Sequence, residues 1–251
     1  MLTNYDVSSC YDRIVPNVGM IVTQKYGVPA TVTKATADTL KLAEYKVRTE
    51  LGIAETGYNH TDECPIYGTG QGSTFSGQTW TFLSCTTIDR SDTKASPATY
   101  SNPAGTTKAQ IGIAGFVDDC NVHTNKFEAD GSSSTVSSLL NQAQKNAQLW
   151  TDLLSASGGA LEVSKCSCHI IQYKFTVQGA PTLVPSFPPD QVKISVRDPH
   201  EQTTHDLQIL SVYQSHKTLG HYKEPAGHQK EQFRQLKAKS DKTTAFLWTC
   251  P

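Results

Sequence analysis

The sequence predicts an α+β fold built on an antiparallel sheet, and three observations predict it. Apolar residues recur at helical spacing in four stretches. Short β-branched or alternating runs lie between them, bounded by Gly, Pro, Asn and Asp. Two of these runs are separated by little more than an Asp-Asp pair, the spacing of a hairpin rather than of a crossover. With 251 residues the chain makes one large domain or two small ones, either with a substantial core. Charged residues are 18% and hydrophobic ones 37%, which excludes a disordered or membrane-embedded chain. No run approaches the ~20 apolar residues of a bilayer span. Residues 1–6 carry neither the basic region nor the apolar stretch of a secretory leader, so an intracellular, non-secreted protein without a membrane partner is expected.

Each element has its own justification. Leu2 to Val7 reads as the end of a strand. A helix is predicted over 12–26, with Ile14, Val18, Ile21 and Val22 on one stripe, Pro16 in its first turn and Gly27 as its stop. A second helix is predicted over 31–42, and Tyr45, Val47 and Thr49 alternate as a strand over 45–51. Gly68, Gly70 and Gly72 make a tight turn that opens a helix over 75–88. Residues 89–109, rich in Ser, Thr, Asp and Pro, read as an inserted loop. Residues 111–117 read as a buried strand and 120–124 as its return partner, with Asp118-Asp119 at the turn. A long helix over 135–156 carries Leu139, Leu140, Ala143, Leu149 and Leu153 and stops at Gly158-Gly159. Residues 161–177, 192–196 and 207–210 are strand-like, and the Pro-rich 181–189 segment connects them. No internal repeat is visible.

Cysteine and charge narrow the class. Seven scattered cysteines without a CxxC pair exclude a zinc ribbon and argue for a reducing compartment, which makes the triplet Asn59-His60-Thr61 a chance glycosylation match. The formal charge is −1, but residues 216–242 carry a net +4, so the remainder carries −5. An acidic body with a basic C-terminal segment suits a cation site beside a polyanion surface, and equally an ordinary solvated helix.

The most informative run is Phe116-Val117-Asp118-Asp119. Two adjacent carboxylates on a hairpin tip repel each other, and a divalent cation relieves that repulsion. Alone, the pair is also an ordinary hydrophilic turn. Asp6, at the end of the first strand, is a strand-end residue by itself, but beside Asp118 it would complete a hard-oxygen site. Mg²⁺ takes one or two protein carboxylates and fills its octahedron with phosphate and water oxygens. Two such ions ~3.5–4 Å apart activate an attacking hydroxyl and stabilise the leaving oxygen in phosphoryl transfer.

Taken in order, the motifs resemble those of reverse transcriptases, especially retroelement enzymes of the non-LTR kind. Tyr5-Asp6-Val7 followed by Tyr11-Asp12-Arg13 looks like the first catalytic motif. Residues 68–76, with Gln71-Gly72-Ser73, look like the second, and Phe116-Val117-Asp118-Asp119 like the third. Gly158-Gly159 through Lys165 resembles the fourth, and Lys217-Thr218-Leu219-Gly220-His221 the fifth. All five lie in the family's order between residues 5 and 222.

The resemblance implies a polymerase palm, an antiparallel sheet with helices packed on one face, over residues 1–215. A primer-grip turn and the start of a basic thumb would follow over 216–251. With five residues before Asp6 and 29 after Tyr222, fingers and thumb are expected to be largely missing. Asp6, Asp118 and Asp119 would hold Mg²⁺, with Mn²⁺ as a substitute. Lys165 would give a proton to the departing pyrophosphate. Tyr11, Gln71, Gly72, Ser73 and Val117 would line the nucleotide, Tyr11 closing against the sugar to exclude a 2′-hydroxyl. Leu219 and Gly220 would turn beneath the primer. The implied partners are an RNA or DNA template with primer and deoxynucleoside triphosphates. The implied activity is RNA-directed DNA polymerisation. Two readings stand beside it: a non-catalytic retroelement remnant that keeps the fold and weak nucleic-acid binding, and another palm-type nucleotidyltransferase.

Other motifs fail. Residues 68–73 lack the Gly-Lys-Ser/Thr of a P-loop and complete no GxGxxG. His200 and His205 are five apart, ~140° out of line on a helix, so they would not share one zinc. Cys166 and Cys168 would put two thiols on one strand face without a second ligand pair. Trp80, Trp150 and Trp248 read as core or rim aromatics.

Overall fold

The structure, a computed structural model, describes residues 1–61, 63, 66–70, 73–95, 97–102, 104–125, 135–188 and 192–249. It is mixed α/β, with six α-helices and small, mainly antiparallel sheets among the described residues. Gln71 and Gly72 lie outside them.

The chain opens with β1 (Leu2–Asp6) and the single turn α1 (Cys10–Arg13). The helix expected over 12–26 begins only at Pro16: Ile14 and Val15 are extended, because the residue before proline is driven out of the helical region. α2 (Pro16–Lys25) follows, then α3 (Ala30–Leu42). The strand expected over 45–51 shrinks to the two-residue β2 (Arg48–Thr49), paired with β3 (Gly52–Ile53) on an exposed hairpin that no core anchors. α4 (Thr74–Lys94) is longer than the stripe predicts. The segment read as an inserted loop is the last turns of α4 followed by the hairpin β4 (Ala98–Ser101) and β5 (Lys108–Ile111). The strand expected over 111–117 is split at Gly112, since Ile111 pairs with β4. β6 (Ile113–Phe116) pairs with β7 (Asp119–His123), and β6 is half-buried to exposed rather than buried. α5 (Val136–Ala156) matches its expected span. Thr135 caps it by accepting from the Ser138 N–H at 3.1 Å.

The stretch expected as a strand over 161–177 breaks up. A 3₁₀ turn (Val163–Lys165) leads to β8 (Ser167–His169), and β9 (Tyr173–Phe175) pairs with β10 (Pro181–Leu183). β11 (Ser195–Arg197) pairs with β12 (Thr204–Asp206), so His200 sits in a turn and His205 in a strand, neither on a helix. β13 (Gln208–Leu210), the hairpin β14 (His216–Thr218) with β15 (His221–Lys223), and the exposed α6 (Lys230–Thr249) complete the chain.

The central sheet has the order β13-β8-β1-β7-β6. It departs from the expected antiparallel sheet at one edge, where β13 runs parallel to β8. Period-two alternation sorts its faces. Thr3, Tyr5 and Val7 of the first strand, with Cys120 and Val122 of β7, are buried against Trp80 and Leu83 of α4 and Ala143, Ala147, Trp150 and Leu154 of α5. The spacing 143-147-150-154 is one helical stripe, rotated from the expected one, which shares only Ala143 with it. The opposite face carries Asn4 and Asp6 beside Asn121 and Asp119, each pair in cross-strand register. No helix among the described residues is long and apolar enough to cross a membrane.

The end of α5 shows how tightly the layers meet. Gly158 has φ +91°, and a Cβ there would collide with the Arg13 carbonyl oxygen. Gly158→Ala therefore meets both a left-handed backbone and a backbone clash, with an expected loss of roughly 1–3 kcal/mol read by chemical denaturation. Gly27→Ala, with nothing within 4 Å, meets the backbone term alone and serves as the comparison.

Candidate functional site

Register brings the acidic residues together. β1 and β7 are antiparallel neighbours, and Asp6 stands opposite Asp119. The Val7 N–H donates to the Asp118 carbonyl at 3.2 Å, which fixes the hairpin tip to the end of the first strand. The tip is a two-residue turn, Val117-Asp118, between paired Phe116 and Asp119. Val117 adopts φ 54°, a left-handed conformation that a β-branched side chain resists. The indole of Trp80 holds it, donating from Nε1 to the Val117 carbonyl at 2.7 Å. A buried tryptophan on α4 thus sets the backbone that presents Asp118.

The three carboxylates line one cleft of about 630 Å³ with Lys165, Gln208, Gln214, His216, Leu219 and Gly220 among its walls. Lys165 Nζ lies 3.6 Å from Asp6 Oδ1. Leu219 and Gly220, at φ 51° and 76°, form the mirror-image turn of the β14–β15 hairpin, and the Leu219 N–H donates to Asp119 Oδ2 at 3.2 Å. Residues from four places in the chain therefore converge on the open face of the sheet: 6, 118–119, 165 and 216–222.

Tyr11 and Ser73 are not among the residues that line this cleft. Tyr11 is on α1, half-buried against the core, with its carbonyl accepting from the Thr69 N–H at 2.8 Å. Its phenol is held above its ordinary pKa by burial first and then by Cys10 and Asp118. Ser73 precedes α4 and is exposed, its side chain making no capping bond. Gln71 and Gly72 belong to the undescribed residues.

Asp6 is the titratable group most informative about the site. Its carboxyl is raised above the ordinary carboxylate range, by burial first; Lys165 opposes the shift, and Asp118 and Asp119 add to it. A carboxyl with a raised folded-state pKa favours the fold in its protonated form. Its contribution therefore turns unfavourable as pH rises through that folded value. Asp6→Asn is expected to raise the melting temperature at neutral pH, with the gain vanishing at acid pH. Equal melting of both proteins at neutral pH would contradict it.

The donor set suits a hard divalent cation. It consists of carboxylate oxygens on paired strands, with mutual repulsion that a cation would relieve. The nearby thiols do not compete, since burial pushes Cys120 and Cys166 up to about 12. Among the described residues no three His, Cys, Asp or Glu side chains form a preformed cage.

Sequence reasoning missed Trp80 as the tether of the tip, because a tryptophan reads as core whether or not its N–H is used. It also missed the polar lining of Asn4, Asn121, Gln208 and Gln214. A signal existed for Asn4 and Asn121, which alternate with buried residues on their strands. The chain matches no protein-family model, and no curated protein matches it.

Proposed function

We propose that the chain is the catalytic palm of an RNA-directed DNA polymerase of retroelement type, transferring a nucleotidyl group to a primer 3′-hydroxyl. The observation that carries the reading is the cross-strand pairing of Asp6 with Asp119 beside the strained Val117-Asp118 tip. It gathers carboxylates more than a hundred residues apart into one cleft.

In this reading Asp6 and Asp118 hold Mg²⁺, and Mn²⁺ can replace it. When bound, the cation would supply charge neutralisation at the α-phosphate and lower the pKa of the attacking hydroxyl. The primer 3′-hydroxyl gives its proton to solvent as its oxygen bonds to the α-phosphorus, the bond to the bridging oxygen breaks, and pyrophosphate leaves with a proton. Lys165, exposed and 3.6 Å from Asp6, is the nearest described ammonium to the carboxylates and serves as that proton's source. Asp119 is oriented by the Leu219 N–H, and the Leu219-Gly220 turn supports the primer end. The resemblance assigns Tyr11, Gln71, Gly72, Ser73 and Val117 to the incoming deoxynucleotide, although Tyr11 and Ser73 do not line the cleft that holds the carboxylates. The basic 216–242 segment meets duplex phosphates.

One observation favours the remnant reading: Asp6 and Asp119 already have partners in Lys165 and Leu219. Primer extension on an RNA template with Mg²⁺, run beside primer–template binding, separates the two. Metal-dependent extension supports the polymerase. Duplex binding without extension supports the remnant.

A further inference from the structure

The tip that carries Asp118 is built against its own sequence. Of the two turn residues only Val117 has positive φ, at 54°, the pattern of a II′ hairpin turn, whose first position favours glycine. Valine resists that conformation, because its branched side chain crowds the backbone. The turn residues do not select this turn, so its support comes from elsewhere in the fold.

Two bonds from outside the turn supply it, and they bracket Asp118. Trp80 Nε1 donates to the Val117 carbonyl at 2.7 Å, which holds the peptide plane before Asp118. The Val7 N–H donates to the Asp118 carbonyl at 3.2 Å, which holds the plane after it. The second bond continues the pairing of β1 with β7 and belongs to the sheet. The first comes from a single side chain on α4.

That helix is anchored where the indole leaves it. Trp80 is 5% exposed and belongs to the core cluster with Leu83 and Trp150. One turn earlier on the same face, the buried Ser76 Oγ lies 2.6 and 2.8 Å from the Thr69 and Gly70 carbonyl oxygens. The Thr69 N–H in turn donates to the Tyr11 carbonyl. Packing alone does not demand a partner for a buried indole here, because Trp150 Nε1 is buried in the same core without one.

We propose that Trp80 is the positioning residue of the acidic cleft: its N–H holds Val117 in the left-handed conformation and thereby sets the affinity of the carboxylates for a divalent cation. The inference rests on the proposed metal site and adds that the tether, not the carboxylates alone, fixes how tightly the ion is held. Without the bond, Val117 relaxes toward negative φ and Asp118 swings with it. With glycine at 117 the left-handed turn carries no side-chain penalty, and the tether becomes dispensable.

A double-mutant cycle on the whole chain, read as Mn²⁺ affinity by isothermal titration, tests this. Trp80→Phe keeps an aromatic ring and removes the N–H, and is expected to weaken Mn²⁺ binding about three- to tenfold, the scale of one lost hydrogen bond. In a Val117→Gly background the same change should alter the affinity by less than about twofold. A ring that only fills space would move both backgrounds alike. A second readout needs no substitution: in ¹H–¹⁵N spectra, Mg²⁺ should slow hydrogen exchange of the Trp80 indole by a larger factor than that of Trp150. Ion and tether favour the same tip, and their linkage is reciprocal. Unchanged affinity in Trp80→Phe, an equal loss in both backgrounds, or equal slowing of the two indoles would overturn the proposal and leave the metal site standing. No Mn²⁺ binding by the unaltered chain would overturn the metal site and the proposal together.

Discussion

Asp118→Asn is expected to lower Mg²⁺-dependent primer extension by about 10³-fold or more, while Asp92→Asn leaves it within a factor of two. Charge stabilisation by a divalent cation contributes several kcal/mol to a phosphoryl-transfer barrier, and about 4 kcal/mol is a thousandfold in rate. Asn keeps the shape of the side chain and one oxygen but removes the charge that holds the ion. Asp92, on α4, is the matched comparison. Its carboxyl is raised by burial, with Asp89 adding to the shift, and it accepts from the Ile113 backbone, yet it does not line the cleft. Steady-state extension and Mn²⁺ titration should move together for Asp118→Asn. Unchanged Mn²⁺ affinity with lost extension would assign Asp118 another role, and equal extension by both variants would end the polymerase reading.

The largest structural loss is expected at Trp150. It is 2% exposed and sits where α5 meets the sheet. Trp150→Ala should cost about 3–5 kcal/mol, the range for truncating a buried large aromatic and leaving a cavity. For a domain of this size that is roughly 6–20 °C in melting temperature. Trp150→Phe sharpens the test, because the indole Nε1 is buried without a partner. Removing that unmet donor partly compensates the smaller ring, so the Phe variant should lose far less than the Ala variant. Similar melting of both variants would show that the indole N–H, not the ring volume, dominates.

How much was legible depended on whether an element's own residues carried its signal. α5 has many apolar residues and a Gly-Gly stop, and its span agrees with the structure. Of the stripe read from Leu139, Leu140, Ala143, Leu149 and Leu153, however, only Ala143 is fully buried, and the core face is turned toward Ala147, Trp150 and Leu154. Residues 89–94 are polar and read as loop, yet α4 continues through them. Nothing breaks the helix there, and Thr87 and Ser91 are buried, so tertiary contact overrides a weak propensity. Gly112 hid the handover from the β4–β5 pair to the β6–β7 pair, since a run of apolar residues looks continuous across it. In the site, the Asp-Asp tip and Asp6 stood out because paired carboxylates need a reason to be adjacent. The Leu219 bond to Asp119 left no trace, because a backbone N–H donates whatever its side chain.

That bond ties the two walls of the cleft to each other. A cation on Asp119 Oδ2 would compete with the 219–220 turn for that oxygen, and lifting the turn frees it. In the polymerase reading, ion uptake and strand loading would then be thermodynamically linked, each changing the other's affinity by the same factor. Titrating Mn²⁺ with and without primer–template would measure that shared factor directly, whichever is added first.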